Sequence, residues 1–171
     1  MSNERLQIRH LEEEDAGALA EGFAEMGWDK PASRFVRYLD EQASGSRTVL
    51  VAVWEGRVAG YVTILWESRD RTFRERAIPE ISDLNVLKPF RRKGIGNSLM
   101  ERVEALICES SPTAGLGVGL HSGYGSAQRL YVRRGYVPDG AGVVVGGETV
   151  PEGAEIRLDD EATLRMTKRL R

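Results

Sequence analysis

Hydrophobic residues recur along the chain with two periods, one typical of helices and one typical of strands. In the first half the predicted elements are a strand at Leu6–Leu11, helices at residues 13–26 and 31–45, and strands at Thr48–Trp54 and Arg57–Trp66. The last two are rich in β-branched and aromatic residues. Glu55-Gly56 lies between them, which predicts a hairpin with a tight turn.

The second half continues the alternation of strands and helices. Its predicted elements are a charged loop at 67–78, a strand at 79–86, a helix at 94–109, a strand at Gly115–Leu120, a helix at Ser126–Arg134 and final strands at Tyr136-Val137, Val143–Val145 and Ala162–Leu170. In the strand at Gly115–Leu120 every second residue is glycine, which permits another group to approach closely. The order predicts an α/β or α+β sheet covered by helices, and without repeats or linkers we expect one domain over 1–171.

Composition narrows the class of protein. The 171 residues are 41% hydrophobic and 29% charged, as in an ordinary globular domain. No apolar run approaches the roughly 20 residues that cross a bilayer, and the first residues lack the apolar stretch of a signal peptide. The net charge of −2 argues against nucleic-acid binding, and the single cysteine, Cys108, excludes an internal disulfide. We therefore expect a cytoplasmic protein with no membrane or nucleic-acid partner.

The sharpest motif is Arg91-Arg92-Lys93-Gly94-Ile95-Gly96, between a predicted strand and an amphipathic helix. Glycines allow a tight turn, and the exposed N–H groups and positive end of a helix favour a phosphate. The motif is not a Walker loop, because no Gly-Lys-Ser/Thr string follows. It is not a dinucleotide fingerprint either, because Leu99 stands where the third glycine belongs.

What remains is an Arg/Gln-x-x-Gly-x-Gly/Ala loop after a strand. Downstream, Ala127-Gln-Arg-Leu-Tyr131 leads into Gly135-Tyr136. With these two motifs the chain resembles the GNAT superfamily of N-acetyltransferases from about Leu6 to Leu170. The resemblance implies a mixed, mostly antiparallel central sheet flanked by helices, and acetyl-CoA as co-substrate without a metal.

The resemblance also assigns coenzyme-binding residues. Backbone groups of Leu84 and Val86 would contact the pantetheine arm, in a cleft where the strands at 81–86 and 115–120 diverge. The pyrophosphate would be held by Arg91, Arg92, Lys93, Gly94, Ile95 and Gly96. Many relatives carry an asparagine seven residues before the tyrosine, where this chain has Tyr124. Ser126 is the predicted substitute for that polar contact.

Acetyl transfer to an amine needs a base and an acid. An alkylammonium must lose a proton before its nitrogen attacks, and the departing thiolate must gain one. Glu80 lies eleven residues before Arg91, where some relatives carry a catalytic glutamate, and Asp83 and Glu67 are the competing bases. Tyr131 matches the usual acid and would also contact the coenzyme. Core packing is the competing interpretation for Tyr131, and an exposed strand-end charge is the one for Glu80.

The acceptor pocket is expected around the first two helices. Its predicted substrate-binding residues are Trp28, Trp66, Glu67 and Asp83, with Phe35 and Tyr38 either lining the pocket or filling the core. Aromatic rings beside carboxylates suit a cationic amine, whereas the arginines within 69–76 would suit an anionic acceptor.

The preferred hypothesis is acetylation of a primary amine of a small molecule by direct attack. The alternatives are a protein or peptide N-acetyltransferase and a non-catalytic acyl-CoA-binding regulatory module. A homodimer through the Val143–Val150 segment stays open. No metal site is expected, because His10 and His121 have no ligand-spaced partners.

Overall fold

A computed structural model of the chain describes residues 5–171. Its strands are β1 (Leu6–His10), β2 (Arg47–Trp54), β3 (Arg57–Leu65), β4 (Glu80–Val86), β5 (Thr113–Gly119), β6 (Val137–Val145), β7 (Glu148–Thr149) and β8 (Ala162–Arg169). Its α-helices are α1 (Asp15–Glu25), α2 (Ala32–Ala43), α3 (Arg71–Glu75), α4 (Ile95–Ser110) and α5 (Gly125–Arg133). The predicted order of strands and helices is confirmed up to three differences. Helix α3 lies inside the segment predicted as a loop, the strands predicted at Tyr136-Val137 and Val143–Val145 form the single strand β6, and the short strand β7 was not predicted.

The chain divides into two compact units. Unit 1 comprises the residues up to Trp66 together with Ile81–Leu106, and unit 2 comprises Glu67–Glu80 and Ile107–Arg171. Unit 1 orders its strands β1-β2-β3-β4, and unit 2 orders them β5-β8-β6-β7. The pairs β1-β2, β2-β3, β5-β8, β6-β8 and β6-β7 are antiparallel, whereas Glu80 at the start of β4 pairs in parallel with Gly115 of β5. The predicted mixed, mostly antiparallel sheet is therefore confirmed.

The core of unit 1 explains why these residues form these elements. Val51 of β2, Tyr61 of β3 and Leu19 and Phe23 of α1 are all fully buried, and the Phe23 ring meets the Tyr61 ring edge-on with centres 5.9 Å apart. Glu55 and Gly56 both adopt positive φ, 47° and 80°, so the β2-β3 hairpin turns where the sequence predicts.

The added helix α3 begins at a side-chain cap. Asp70 accepts hydrogen bonds from the backbone N–H groups of Thr72 and Phe73, which satisfies donors that a helix leaves unpaired at its start. The other oxygen of Asp70 lies 2.6 Å from Nε of Arg165, a side chain that is only 4% exposed. A charged segment thus becomes ordered because its carboxylate meets a buried guanidinium on β8.

The alternating glycines of β5 make room for aromatic rings. A Cβ at Gly115 would lie 2.8 Å from the Phe73 ring, and one at Gly119 would lie 2.2 Å from the Tyr124 ring. The sequence predicts that another group approaches β5 closely at its glycines. At these two positions that group is an aromatic side chain of the same chain.

Candidate functional site

The loop between β4 and α4 has the tight backbone that its sequence predicts. Arg92 and Gly94 adopt positive φ, 62° and 78°, and the N–H of Ser98 donates to the carbonyl of Gly94 as α4 begins. Gly96 is the second residue of α4, so the turn depends on residues 92 and 94. Residues 91–94 are exposed, and a Cβ at Gly94 would meet no atom within 4 Å. Three cationic side chains therefore flank an open loop at the positive end of a 16-residue helix.

Two cations of this loop contact tryptophans. The Arg91 guanidinium lies 5.7 Å from the centre of the Trp28 ring, and Nζ of Lys93 lies 5.4 Å from that of Trp54. Nε of Arg91 also donates to the carbonyl of Val86, 3.0 Å away. Val86 and Leu84 are both half-buried in β4. Arg91 thus connects the loop to β4 and to Trp28, which follows α1.

Asp83, at the middle of β4, accepts four hydrogen bonds from side chains of unit 1. Its Oδ1 accepts from Nζ of Lys30 at 2.6 Å and from Nδ2 of Asn85 at 2.8 Å. Its Oδ2 accepts from the hydroxyls of Tyr61 at 2.5 Å and Tyr38 at 2.8 Å. We call these five residues the Asp83 cluster. Asp83 itself adopts φ 54°, a conformation uncommon for a residue other than glycine.

The cluster has a defined charge state. Burial opposes ionisation of Asp83, but the Lys30 ammonium and the hydrogen bonds from Lys30, Tyr61 and Tyr38 outweigh it and hold the carboxyl pKa below its usual value. Burial and the charge of Asp83 raise the pKa of Tyr61 well above its usual value, and the same causes raise the pKa of Tyr38. Asp83 is therefore ionised at neutral pH, and both tyrosines are protonated donors.

The Lys30 ammonium lies in an aromatic surround. Nζ is 5.3 Å from the centre of the Phe23 ring and 5.5 Å from that of Tyr61, and it donates to the Tyr61 hydroxyl at 3.0 Å. The Lys30 side chain is 14% exposed. A carboxylate and two aromatic rings therefore surround a cation here, and that cation is the chain's own Lys30.

Phe35 and Tyr38 belong to the core rather than to an open pocket. Phe35 is fully buried and Tyr38 is 4% exposed. Trp28, by contrast, is exposed and stacks on Phe23 with ring centres 5.9 Å apart. The indole N–H of Trp66 donates to the Thr48 hydroxyl at 2.9 Å. This hydrogen bond connects the residue after β3 to β2.

The remaining predicted residues lie in unit 2. Glu80 is half-buried, and its Oε2 accepts a 2.5 Å hydrogen bond from Oγ of Ser68, a residue that is 1% exposed. Glu67 is exposed. Tyr131 of α5 is 8% exposed and packs edge-on against Tyr136, with ring centres 6.0 Å apart. Ser126 is exposed in the first turn of α5.

Tyr124, which replaces the asparagine of many relatives, belongs to a polar group on the surface of unit 2. Its hydroxyl donates to Asp160 at 3.0 Å, and Nε2 of His121 lies 2.9 Å from the same carboxylate oxygen. Nδ1 of His121 accepts the backbone N–H of Gly123, so Nε2 carries the proton and donates to Asp160. Within residues 5–171, no three His, Cys, Asp or Glu side chains are grouped so as to hold a metal ion.

Sequence reasoning missed the most important partners of Asp83. Lys30, Tyr61 and Asn85 were not identified, although Tyr61 lies in a predicted strand. Lys30 lies 53 positions from Asp83. The available signal was a lysine isolated between Trp28 and Pro31, close to the aromatic residues of the first two helices.

Comparison with known proteins identifies one sequence family and many similar folds. A family described as "Acetyltransferase (GNAT) domain" matches residues 15–150. No curated protein matches the chain in sequence. Among the helices formed within residues 5–171, none combines the length and the apolar character needed to span a bilayer.

Three solved structures illustrate the similarity of fold. YncA of Salmonella typhimurium, assigned as an acetyltransferase and solved with acetyl-CoA, is 20% identical, with a TM-score of 0.70 over 98% of this chain and 95% of that one. A chimera of spermidine N-acetyltransferase from Vibrio cholerae is 16% identical, with a TM-score of 0.68 over 97% and 96%. Ribosomal-protein-alanine N-acetyltransferase from Brucella melitensis is 21% identical, with a TM-score of 0.70 over 95% and 99%.

Proposed function

The chain belongs to the GNAT acetyltransferases, a family of acetyl-CoA-dependent acyltransferases, and from this premise we propose that it acetylates a primary amine of a small molecule. The observation that carries the proposal is the loop of residues 91–96, which combines positive φ at Arg92 and Gly94 with three exposed cations at the start of α4. This chemistry fits a diphosphate, because backbone N–H groups and cations favour the same anion.

Bound acetyl-CoA would supply a thioester carbonyl for attack by the amine. In this proposal Leu84 and Val86 offer backbone groups of β4 to the pantetheine arm, and Ser126 offers a hydroxyl at the start of α5. Arg91 already donates to the carbonyl of Val86. The pyrophosphate and this carbonyl would therefore compete for the Arg91 guanidinium.

We assign the base to Glu80. Asp83 is a poor base because four hydrogen bonds saturate its oxygens and its pKa is lowered. Glu67 is exposed, so its carboxylate is solvated. Glu80 is half-buried, and the Ser68 hydroxyl donates to its Oε2, which orients the carboxylate that in this proposal accepts a proton from the acceptor, directly or through water.

We assign the acid to Tyr131. The amine nitrogen forms its bond to the acetyl carbon, the carbon–sulfur bond breaks, and the thiolate takes the phenolic proton. The tyrosine is anchored on α5 and against the Tyr136 ring, so the direction of its hydroxyl is fixed by packing. Glu80 gains one proton from the amine, and Tyr131 gives one proton to the thiolate. Proton exchange with water then returns both residues to their starting states.

The proposal is tested by incubating the protein and acetyl-CoA with a panel of primary amines, measuring thiol release and weighing the product. We expect release of CoA and a product 42 mass units heavier than one of the amines, as acetyl replaces a hydrogen. Release only with peptides would favour a protein acceptor, for which the Brucella structure gives a precedent of fold. Tight coenzyme binding without release from any amine or peptide would favour a non-catalytic module.

A further inference from the structure

Glu80, the proposed base, is bound by a buried serine of unit 2. Its Oε2 accepts a 2.5 Å hydrogen bond from Oγ of Ser68, a residue that is 1% exposed. A base must keep its carboxylate within hydrogen-bonding reach of the amine, and a displacement of about 1 Å can cost about 10²-fold in rate. The groups that fix the Ser68 hydroxyl therefore bear on turnover.

The direction of the Ser68 hydroxyl is set by the backbone of Asp70. The N–H of Asp70 donates to Oγ of Ser68 at 2.9 Å. In its role as a base Glu80 is ionised, and an ionised carboxylate oxygen only accepts hydrogen bonds, so the single proton of the Ser68 hydroxyl is donated to Glu80. Ser68 is thus an acceptor toward Asp70 and a donor toward Glu80, and the two bonds together fix its side chain.

Asp70 is itself anchored at both carboxylate oxygens. Its Oδ1 accepts the two backbone N–H groups that begin α3, at 2.9 and 3.3 Å, and its Oδ2 accepts from Nε of Arg165 at 2.6 Å. Arg165 is 4% exposed, and another of its nitrogens donates to the carbonyl of Gly147 at 2.9 Å. A buried guanidinium on β8 therefore holds the residue whose N–H holds Ser68.

Packing places the same segment against the start of β4. The Phe73 ring is 1% exposed and lies 2.8 Å from where a Cβ on Gly115 would stand. Gly115 pairs in parallel with Glu80, and its N–H donates to the carbonyl of Pro79 at 3.0 Å. The backbone of Glu80 and the segment of residues 68–73 are therefore both packed on one residue of β5, and a hydrogen bond joins two fixed points.

We propose that Ser68 is the positioning residue of the base Glu80, and that Arg165 acts on the same base from β8 through Asp70 and Ser68. This inference rests on the proposed function, which it deepens by naming two residues that orient the base. No proton passes along these hydrogen bonds, because Ser68 and Arg165 keep theirs and only Glu80 takes one from the amine. A misplaced base lowers kcat and leaves substrate binding intact, so KM should not change.

The decisive variants are Ser68→Ala, Glu80→Gln and the two combined. Thiol release is measured with acetyl-CoA and the panel amine that releases most thiol. Ser68→Ala should lower kcat about tenfold, the cost of losing one hydrogen bond to a charged group, with KM unchanged. In the Glu80→Gln background the same change should cost less than about twofold, because no carboxylate is left to position.

The matched control is Ser111→Ala. Ser111 is another buried serine of unit 2, and its Oγ likewise accepts the N–H of the residue two positions on, Thr113, at 3.3 Å. The Ser111 hydroxyl donates to the Thr113 carbonyl instead of a carboxylate. Ser111→Ala should therefore lose a similar buried hydroxyl and keep the kcat of the parent.

The part played by Arg165 is tested by Arg165→Lys, which keeps the positive charge and loses the planar guanidinium. We expect kcat to fall about threefold with KM unchanged, as a shift of about a quarter of an ångström in the base would cause. The same change in Ser68→Ala should cause no further loss, because the connection to Glu80 is already broken.

A loss of kcat in Ser68→Ala at constant KM, absent from Ser111→Ala and from the Glu80→Gln background, supports the role of Ser68. Parent-like kcat in Ser68→Ala, an equal loss in Ser111→Ala or an undiminished loss in the Glu80→Gln background overturns it. Parent-like kcat in Arg165→Lys overturns the role of Arg165 alone. If circular dichroism shows that Ser68→Ala is unfolded, Ser68→Cys, whose thiol is a weak donor, must show the loss instead, and parent-like kcat in that variant overturns the role.

Failure of the proposed function gives a different pattern. If no amine or peptide releases thiol, or if Glu80→Gln turns over like the parent, the function or its base assignment fails and the role of Ser68 falls with it. If Glu80→Gln is slow and Ser68→Ala is not, the base assignment stands and only the positioning role is wrong.

Discussion

The carbonyl oxygen of Asn85 lies 2.4 Å from where a Cβ on Gly60 would stand. Strand β4 therefore approaches β3 so closely that only glycine fits at position 60. The atom that an added Cβ would meet is a backbone oxygen. A carbonyl held in a strand cannot move aside as a flexible side chain could. The same stretch of β4 carries Asp83, so the close approach helps to set where the carboxylate stands.

Gly60→Ala should lower the free energy of unfolding by about 2 kcal/mol or more, because overpacking a rigid contact forces the strands apart. Urea unfolding measures the change. The matched control is Gly17→Ala in the exposed part of α1, where a Cβ meets nothing within 4 Å. That variant should gain about 0.5–1 kcal/mol through helix propensity. Equal stability of Gly60→Ala and the parent would contradict the close approach.

Asp83 should make stability depend on pH in the acid range. Its pKa is lowered by folding, so the carboxylate contributes stability above its unfolded pKa, and this contribution is lost as the pH falls through the folded pKa. Asp83→Asn should cost about 3 kcal/mol at pH 7, since it leaves the Lys30 ammonium buried without its counterion. The gap in unfolding free energy between variant and parent should narrow as the pH falls below the unfolded aspartate pKa of about 3.9.

Urea unfolding of both proteins at pH 7 and pH 2 measures this difference. Asp29→Asn, which alters an exposed carboxylate beside Lys30, serves as the control and should change stability by less than about 0.5 kcal/mol. A gap that stays constant with pH would mean that Asp83 is not the stabilising charge.

Glu80→Gln and Tyr131→Phe should each lower kcat by about 10²–10⁴-fold, the usual contribution of a positioned acid or base. CoA affinity should be unchanged for Glu80→Gln. Thiol release measures turnover, and calorimetry measures binding. Glu152→Gln, at an exposed site of unit 2, is the control for a lost carboxylate. Parent-like turnover in either variant would refute that residue's assigned role.

Gly94→Val should weaken CoA binding at least about tenfold, because a β-branched residue is strained at φ 78° and the loop amides must reorient. Gly45→Val carries the same strain at φ 79°, again with open space around the Cβ, but lies between α2 and β2 and should bind CoA normally. Arg91→Ala should weaken binding only about threefold, and less at high salt, because an exposed charge is screened. Titration calorimetry at two salt concentrations tests all three.

Coenzyme binding should change tryptophan fluorescence. Arg91 and Lys93 lie against Trp28 and Trp54, so an anion that draws these cations away alters the surroundings of both indoles. Trp66→Phe should keep the response, and Trp28→Phe/Trp54→Phe should lose it. A response that follows Trp66 instead would show that the loop cations stay where they are when CoA binds.

Local chemistry explains what could be predicted from sequence. The hairpin at Glu55-Gly56 and the bend at Arg92 and Gly94 depend on residues adjacent in the chain, and a glycine marks each one. The predicted loop at 67–78 was wrong over Arg71–Glu75, because its helix depends on a cap whose second oxygen binds Arg165, 95 positions away.

The Asp83 cluster escaped prediction for a related reason. Its strand and Tyr38 were predicted, but which cation contacts the carboxylate depends on how the segment after α1 is placed against Asp83. Periodicity reports which face of an element is buried and carries no information about partners 53 positions apart. Asp83 itself was named as a base or acceptor ligand, and the structure adds the four donors that make it a poor base.

The buried guanidinium of Arg165 binds three separate stretches of unit 2: Asp70 at the start of α3, Asp139 at 3.9 Å in β6 and the carbonyl of Gly147 at 2.9 Å. In related sequences, residues 165 and 70 should therefore change together. Loss of either Arg165 or Asp70 alone would leave the other buried charge without its partner. Exchange of the 67–80 stretch between distant homologues should succeed only when the donor's residue 165 travels with it.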